Sequence, residues 1–355
     1  MTTTRVLDAL VELPPDRRMR VVCLKSAFGF ENLVFEDRPE PSCGPEQVLI
    51  RVRAVSLNAR DLMMVRGEYN PRQKLPLVVC SDAAGEIVAR GSAVSAWAEG
   101  ERVCPIFAGR WQRGVLDKQA QRSALGGPLD GTLSEYFLAD ADAIVHAPAH
   151  LTDVEAACLP CAGVTAFRAL VELGQLRAGE SVVCIGTGGV SLFGVRIARA
   201  VGARVILTSR SAEKLARAQA LGVEATIDTS ATPEWAKTVR ELTEGEGAHH
   251  VLEVGGKNTF EQSLRAVRMG GVVSVIGVLS GAKTELDLRP LLMQDVRVQG
   301  VFVGSRDTFL NFLRLVEQHT LRPDVDRIFP VSDVRAAFEY AASGQQFGKV
   351  TIALD

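Results

Sequence analysis

The stretch Val182-Val183-Cys184-Ile185-Gly186-Thr187-Gly188-Gly189-Val190-Ser191-Leu192-Phe193-Gly194 decides how the rest of the chain is read. Four apolar residues form a buried strand and a glycine cluster forms a turn. Val190, Gly194, Ile197, Ala198 and Val201 then recur at helical spacing. Gly186 suits the sharp turn. Gly188 lets the backbone approach a pyrophosphate, which the free N–H groups and dipole of the next helix bind. Gly189 and Val190 open that helix. Ser191 stands where the G-x-G-x-x-G pattern has its third glycine, and it is small enough for the helix to lie close on the strand. The segment reads as the strand–turn–helix of a dinucleotide site.

Downstream, strand patterns at 204–207, 225–227, 251–254 and 272–276 alternate with helix patterns at 211–221, 233–242 and 259–267. This alternation predicts an α/β, doubly wound parallel sheet. Val254, Gly255, Ile276 and Gly277 end strands at its carboxyl edge, where such sheets bind ligands. The second strand runs into Thr208-Ser209-Arg210-Ser211, without the acid that would bind a ribose 2′-hydroxyl. Ser209, Arg210 and, one helical turn on, Lys214 instead suit a 2′-phosphate, so NADP(H) is the expected cofactor. Ser209 and Ser211 also suit a helix cap.

Upstream of residue 151 the reading is mainly β, with runs at 48–52, 85–88, 102–107 and 133–138 between Gly and Pro punctuation. Residues 109–131 hold six scattered turn formers, Gly109, Gly114, Gly126, Gly127, Pro128 and Gly131, and read as a long exposed loop. Residues 1–18 read as a polar extension. Near the end, Phe309, Phe312, Leu313 and Val316 share one helix face, and 349–354 is a final strand.

The 355 residues suggest about two domains. With 40 basic and 42 acidic residues, the net charge of −2 offers no basic face for nucleic acid or an anionic membrane. No run of 18 apolar residues occurs, and the first 20 residues lack a secretory pattern. Seven cysteines, an odd number, lie scattered, several in apolar strand runs. They read as reduced and mostly buried, which places the chain in the cytoplasm.

Several motifs in order resemble the medium-chain dehydrogenase/reductase superfamily. They are Ser56-Leu57-Asn58-Ala59-Arg60-Asp61 with Arg66-Gly67-Glu68-Tyr69, Ser81-Asp82-Ala83-Ala84-Gly85, Gly100-Glu101-Arg102-Val103, Leu159-Pro160-Cys161-Ala162-Gly163-Val164-Thr165-Ala166, the glycine turn, and Gly348-Lys349-Val350. The resemblance implies a GroES-like β-domain made of both chain ends (19–148 and 306–355), with a Rossmann-fold dinucleotide domain (149–305) inserted. It places Thr165 near the nicotinamide and Lys349 close to the cofactor, a solvated lysine being the other reading. It also implies a homodimer joined at the strand near 298–302, where Val296, Val298, Val301 and Val303 suit an apolar edge or an ordinary buried strand.

Where the zinc enzymes of that superfamily carry Cys, His and Cys ligands, this sequence has Asn58, Ser81 and Cys161, and 107–136 lacks the four cysteines of their structural zinc lobe. Cys158 and Cys161 read as core residues of a helix. No metal is expected, and the resemblance narrows to the zinc-independent, quinone-oxidoreductase-like branch. Hydrogen-bond donors must then meet the charge that hydride transfer builds on a substrate oxygen; Asn58, Tyr69, Ser81 and, less readily, Arg66 are the candidates. Asp61 reads as a residue that orients Asn58, or else as a general base. Modest donors favour a conjugated small-molecule carbonyl, an enone or quinone. A zinc-free alcohol/ketone oxidoreductase and a non-catalytic NADPH-binding protein remain the alternatives.

Overall fold

A computed structural model describes residues 17–354. The extension read over 1–18 lies, up to residue 16, outside the described residues. Six parallel strands form one sheet in the order Ala225–Asp228, Arg204–Ser209, Ser181–Ile185, Ala248–Glu253, Val267–Val275, Arg297–Gly300. The strand quoted first lies inside it, and the order reverses between Ser181–Ile185 and Ala248–Glu253, the switch point at which such sheets open a crevice. Helix Gly189–Val201 leaves the glycine turn and buries Leu192, Phe193, Val195, Ile197 and Ala198. Ser191 is buried, and its hydroxyl donates to the Ile185 carbonyl at 2.6 Å. Close packing falls to Gly194, where a Cβ would stand 2.3 Å from Leu252 Cδ1.

The other half is a seven-stranded sheet. Gln47–Leu57 pairs antiparallel with Asp82–Arg90, Lys349–Ala353 and Tyr136–Asp140, so the chain's end completes a sheet begun near its start. Of the run expected at 133–138, Ser134 bridges Val21 and the strand proper begins at Tyr136. Val325–Pro330 lies outside Lys349–Ala353 at one edge. The small sheet of Leu33–Pro39, Arg18–Leu24 and Leu77–Val78 packs beside it.

Two stretches join the halves. Helix Arg306–Gln318, which falls after the expected boundary at 305, places Phe312 against Phe167 and Phe193 of the dinucleotide half. The long exposed loop expected over 109–131 is exposed in part, as at 113–115 and 128–130, and in part folded in. Trp111, Ala120, Ser123, Ala124 and Leu125 are buried, Lys118–Gln121 is a short helix capped by Asp117, and Trp111 sits between Arg168 and Phe302. Its glycines mark turns within a packed strap. The helical stretch Asp153–Leu173 is long and apolar enough to cross a membrane by length and composition, but most of it is buried in this fold, as a core helix is.

Candidate active site

Asn58 ends the strand Gln47–Leu57 and precedes helix Ala59–Val65. Its backbone N–H donates to Asp61 Oδ2 at 2.8 Å, which fixes the turn and the angle at which the Asn58 side chain leaves it. Asp61 thus holds the backbone from which the Asn58 side chain leaves. It is buried, and burial pushes its carboxyl up to about 6 although the Arg60 guanidinium pulls the other way.

Around Asn58 the fold gathers residues from distant segments. Asn58 Nδ2 faces Ser81 Oγ at 3.5 Å, and Ser81 Oγ donates to Asp82 Oδ1 at 3.0 Å. Asp82 Oδ2 accepts the Cys161 backbone N–H at 3.1 Å, which locks the Asp153–Leu173 helix to the pocket. Lys349 Nζ donates to Asn58 Oδ1 at 2.5 Å and to the Leu57 carbonyl at 2.7 Å. Burial raises the Asp82 carboxyl, and Lys349 is the strongest influence holding it down. Arg60, Asp61, Asp82 and Lys349 are all buried, so two cations face two carboxylates in one neighbourhood.

The donors at the three superfamily zinc positions are an amide, a hydroxyl and one thiol that burial pushes up. Among the described residues, no group of three or more His, Cys, Asp or Glu is placed to hold a metal. Tyr69 stands apart from this cluster. It is 44% exposed, with its ring over the Arg60 guanidinium at 5.2 Å. Arg60 also donates to the carbonyls of Leu125 and Gly127, binding the strap to the pocket wall.

The dinucleotide side fits its expected guest. Gly186 has a φ of 75°, and a Cβ at Gly186 or Gly188 would meet no atom within 4 Å, which leaves the backbone above the turn open to a pyrophosphate. Thr165 is buried in the helix beside it. Ser209 ends its strand, and Arg210 follows, exposed. Lys214 is drawn elsewhere: its Nζ donates to the Gly344 carbonyl at 2.6 Å, because the C-terminal segment packs over that helix. Val254 and Ile276 fall one residue past their strands, with Gly255 and Gly277 beside them; a Cβ on Gly277 would lie 2.5 Å from the Val254 carbonyl. Lys349 does not reach out toward this rim; its ammonium lies in the Asn58 pocket.

Sequence reasoning gave no role to Asp82, Arg60 or Glu253. The carboxylate of buried Glu253 accepts from Gly255 N (2.7 Å), Gly256 N (2.8 Å), Thr259 Oγ1 (2.6 Å) and Ser263 Oγ (2.5 Å), and so shapes the turn that carries Val254 and Gly255. An acid inside the apolar run Val251–Val254, directly before two glycines, was the available signal.

Comparison with known proteins agrees with this architecture. Residues 44–149 match the alcohol dehydrogenase GroES-like domain family, and 189–318 match the zinc-binding dehydrogenase family. A zinc-type alcohol dehydrogenase-like protein of Schizosaccharomyces pombe is 38% identical over 95% of this chain and 99% of its own. The acryloyl-coenzyme A reductase of Metallosphaera sedula is 28% identical over 94% of this chain and 99% of its own. A crystal structure from Sinorhizobium meliloti 1021, named for the alcohol dehydrogenases, superposes with a TM-score of 0.89 at 38% identity, covering 96% of this chain and all of the other. With its GroES-like domain, inserted dinucleotide domain and full-length relatives, the chain belongs to the medium-chain dehydrogenase/reductase superfamily and is an oxidoreductase.

Proposed function

We propose that the protein is an NADPH-dependent reductase of conjugated carbonyls, enones or quinones, working without a metal. The observation that carries this reading is the pocket built from Lys349, Asn58, Ser81 and Asp82, in which an oriented amide and a hydroxyl stand at the zinc-ligand positions. NADP(H), when bound, supplies a hydride from C4 of the nicotinamide. Ser209 and Arg210, with no acid at the end of that strand, support the phosphorylated cofactor.

A conjugated acceptor takes hydride at its β-carbon and spreads the resulting charge over the oxygen and the α-carbon. Asn58 Nδ2 donates to that oxygen through one hydrogen, while its other faces the Ser81 oxygen, whose own proton goes to Asp82. The amide is held before the charge appears, among buried side chains, where such a donor is strongest. The enolate then takes a proton at carbon from water or from the Tyr69 hydroxyl. A saturated ketone concentrates its charge on one oxygen and needs stronger help than an amide gives. A relative named for the reduction of acryloyl-coenzyme A, itself a conjugated carbonyl, fits this choice.

The test follows NADPH and NADH oxidation with 2-cyclohexen-1-one and with cyclohexanone. The reading expects faster turnover of the enone, with NADPH ahead of NADH, and a loss of up to about 10²-fold in kcat for Asn58→Ala. Turnover of cyclohexanone alone would favour the zinc-free alcohol/ketone reading, and NADPH binding without turnover of any acceptor the non-catalytic one.

We further infer a homodimer. Arg297–Gly300 is the last strand of its sheet, and exposed Val298, Leu288, Leu292 and Met293 lie on it and on the segment before it. Val301 and Val303 are buried within the fold, so the apolar edge draws on the preceding helix more than on the strand's alternation. A cytoplasmic location is part of the same proposal, supported by seven cysteines that are all free thiols.

A further inference from the structure

We propose that Lys349 is a positioning residue of the reaction pocket, setting the direction of the Asn58 amide and furnishing the cation beside it, in place of the cofactor-holding role its Gly-Lys setting suggests. The inference rests on the reductase reading. It begins with the path of the side chain. Lys349 opens the last strand and is 3% exposed. Gly348 N donates to the Thr187 carbonyl at 2.8 Å, and Gly348 bridges Gly188, so the lysine starts from under the glycine turn. Its stem then crosses Gly189, where a Cβ would stand 2.5 Å from Lys349 Cδ. The ammonium arrives at the Leu57 carbonyl and Asn58 Oδ1.

An ammonium has three donors and no acceptor. A side-chain amide that meets it must present oxygen. Asn58 Oδ1 is therefore pinned toward Lys349, and Nδ2, with its two hydrogens, is turned toward Ser81 and the substrate oxygen. Without Lys349 the Oδ1 end loses its donor, and the amide is left with the long 3.5 Å contact to Ser81 Oγ, whose own proton is turned to Asp82, so it is free to turn over. The wrong end would set a carbonyl oxygen against the developing charge. The ammonium's charge serves the same purpose. Asp61 and Asp82 bring two carboxylates into the pocket, and Lys349 and Arg60 balance them before an oxyanion is added. Gly189 links this device to the cofactor turn: a side chain there would push the lysine stem away from Asn58.

The experiment compares native protein, Lys349→Met, Lys349→Arg, Asn58→Ala and the Lys349→Met/Asn58→Ala double variant. NADPH affinity is read by fluorescence titration, kcat and KM with 2-cyclohexen-1-one, and the urea midpoint on the apoprotein. The account expects Lys349→Met to lose roughly 10- to 100-fold in kcat, with KM and the NADPH Kd within about threefold of native, and Lys349→Arg to recover part of the loss. The double variant should be within about threefold of Asn58→Ala, since the lysine acts through the amide. A tenfold or larger rise in NADPH Kd with kcat unchanged would overturn the proposal in favour of a phosphate-holding arm, and so would losses that multiply in the double variant. If native protein fails to oxidise NADPH with the enone, the reductase reading falls and the urea midpoints decide the Lys349–Asn58 link: a double-variant loss smaller than the sum of the singles supports it, and a plain sum overturns it. Should Lys349→Met not fold, Lys349→Gln replaces it, because an amide donates or accepts and no longer dictates how Asn58 turns.

Discussion

Glu253 offers a test of how the cofactor side is built. Its carboxylate closes the strand Ala248–Glu253 and holds four donors, two backbone N–H groups and two hydroxyls. In Glu253→Ala these donors lose their acceptor in a buried place. Thr259 and Ser263 have fallback acceptors in the Gly256 and Thr259 carbonyls, but the N–H groups of Gly255 and Gly256 depend on the carboxylate. At about 1–3 kcal/mol for each unsatisfied donor, plus a small cavity, the loss is about 3–5 kcal/mol. Glu253→Gln is the discriminating control. Its Oε1 still accepts from Gly255, Gly256 and Thr259, while Nε2 donates to Ser263 Oγ, whose own proton turns to the Thr259 carbonyl. Only charge assistance is lost, about 1 kcal/mol, and cheaper burial of a neutral amide offsets part of that. Urea unfolding measures both variants, and NADPH titration should show the Ala variant weaker because the turn carrying Val254 and Gly255 relaxes. Equal stability of the Ala and Gln variants, or an Ala loss under about 1 kcal/mol, would refute the reasoning.

Other expectations concern charge, metal and assembly. Asp61 has a folded-state pKa of about 6 against an ordinary value of 3.8. Its contribution to stability is therefore present below about pH 4 and lost as pH rises through 6, an effect of about 2–3 kcal/mol. Asp61→Asn should flatten the urea-stability profile between those limits, and an unchanged slope would contradict the shift. Purified protein should hold no stoichiometric zinc by elemental analysis, with activity surviving chelation; one zinc per chain lost together with activity would contradict the metal-free reading. Leu292→Asp with Met293→Asp should convert a native dimer to a monomer by light scattering, and a native monomer would remove the homodimer proposal.

What the sequence disclosed was mostly local. The turn at Gly186 and the alternation of strands with helices are written in consecutive residues; the structure follows the helices within two residues, while the strands read at 251–254 and 272–276 begin earlier, at Ala248 and Val267. The packing glycine was present in the quoted stretch as Gly194, three residues beyond the position where the pattern led us to look for it. Lys349 was harder because its partner Asn58 lies 291 positions away, and a Gly-Lys pair carries no information about where a long side chain ends. The buried part of the strap over 109–131 was not legible because six turn formers outweighed one tryptophan, whose burial depends on Arg168 and Phe302. Tyr69 sits on a turn that sequence alone could aim inward or outward, and its ring settles on Arg60.

The central claim is that hydride reaches carbon conjugated to a carbonyl, with Asn58 holding the oxygen. The most direct measurement supplies NADPH deuterated at the transferred C4 position, with 2-cyclohexen-1-one as acceptor, and locates the label by NMR. The account predicts cyclohexanone carrying deuterium at C3, the β-carbon; 2-cyclohexen-1-ol carrying it at C1 would contradict it.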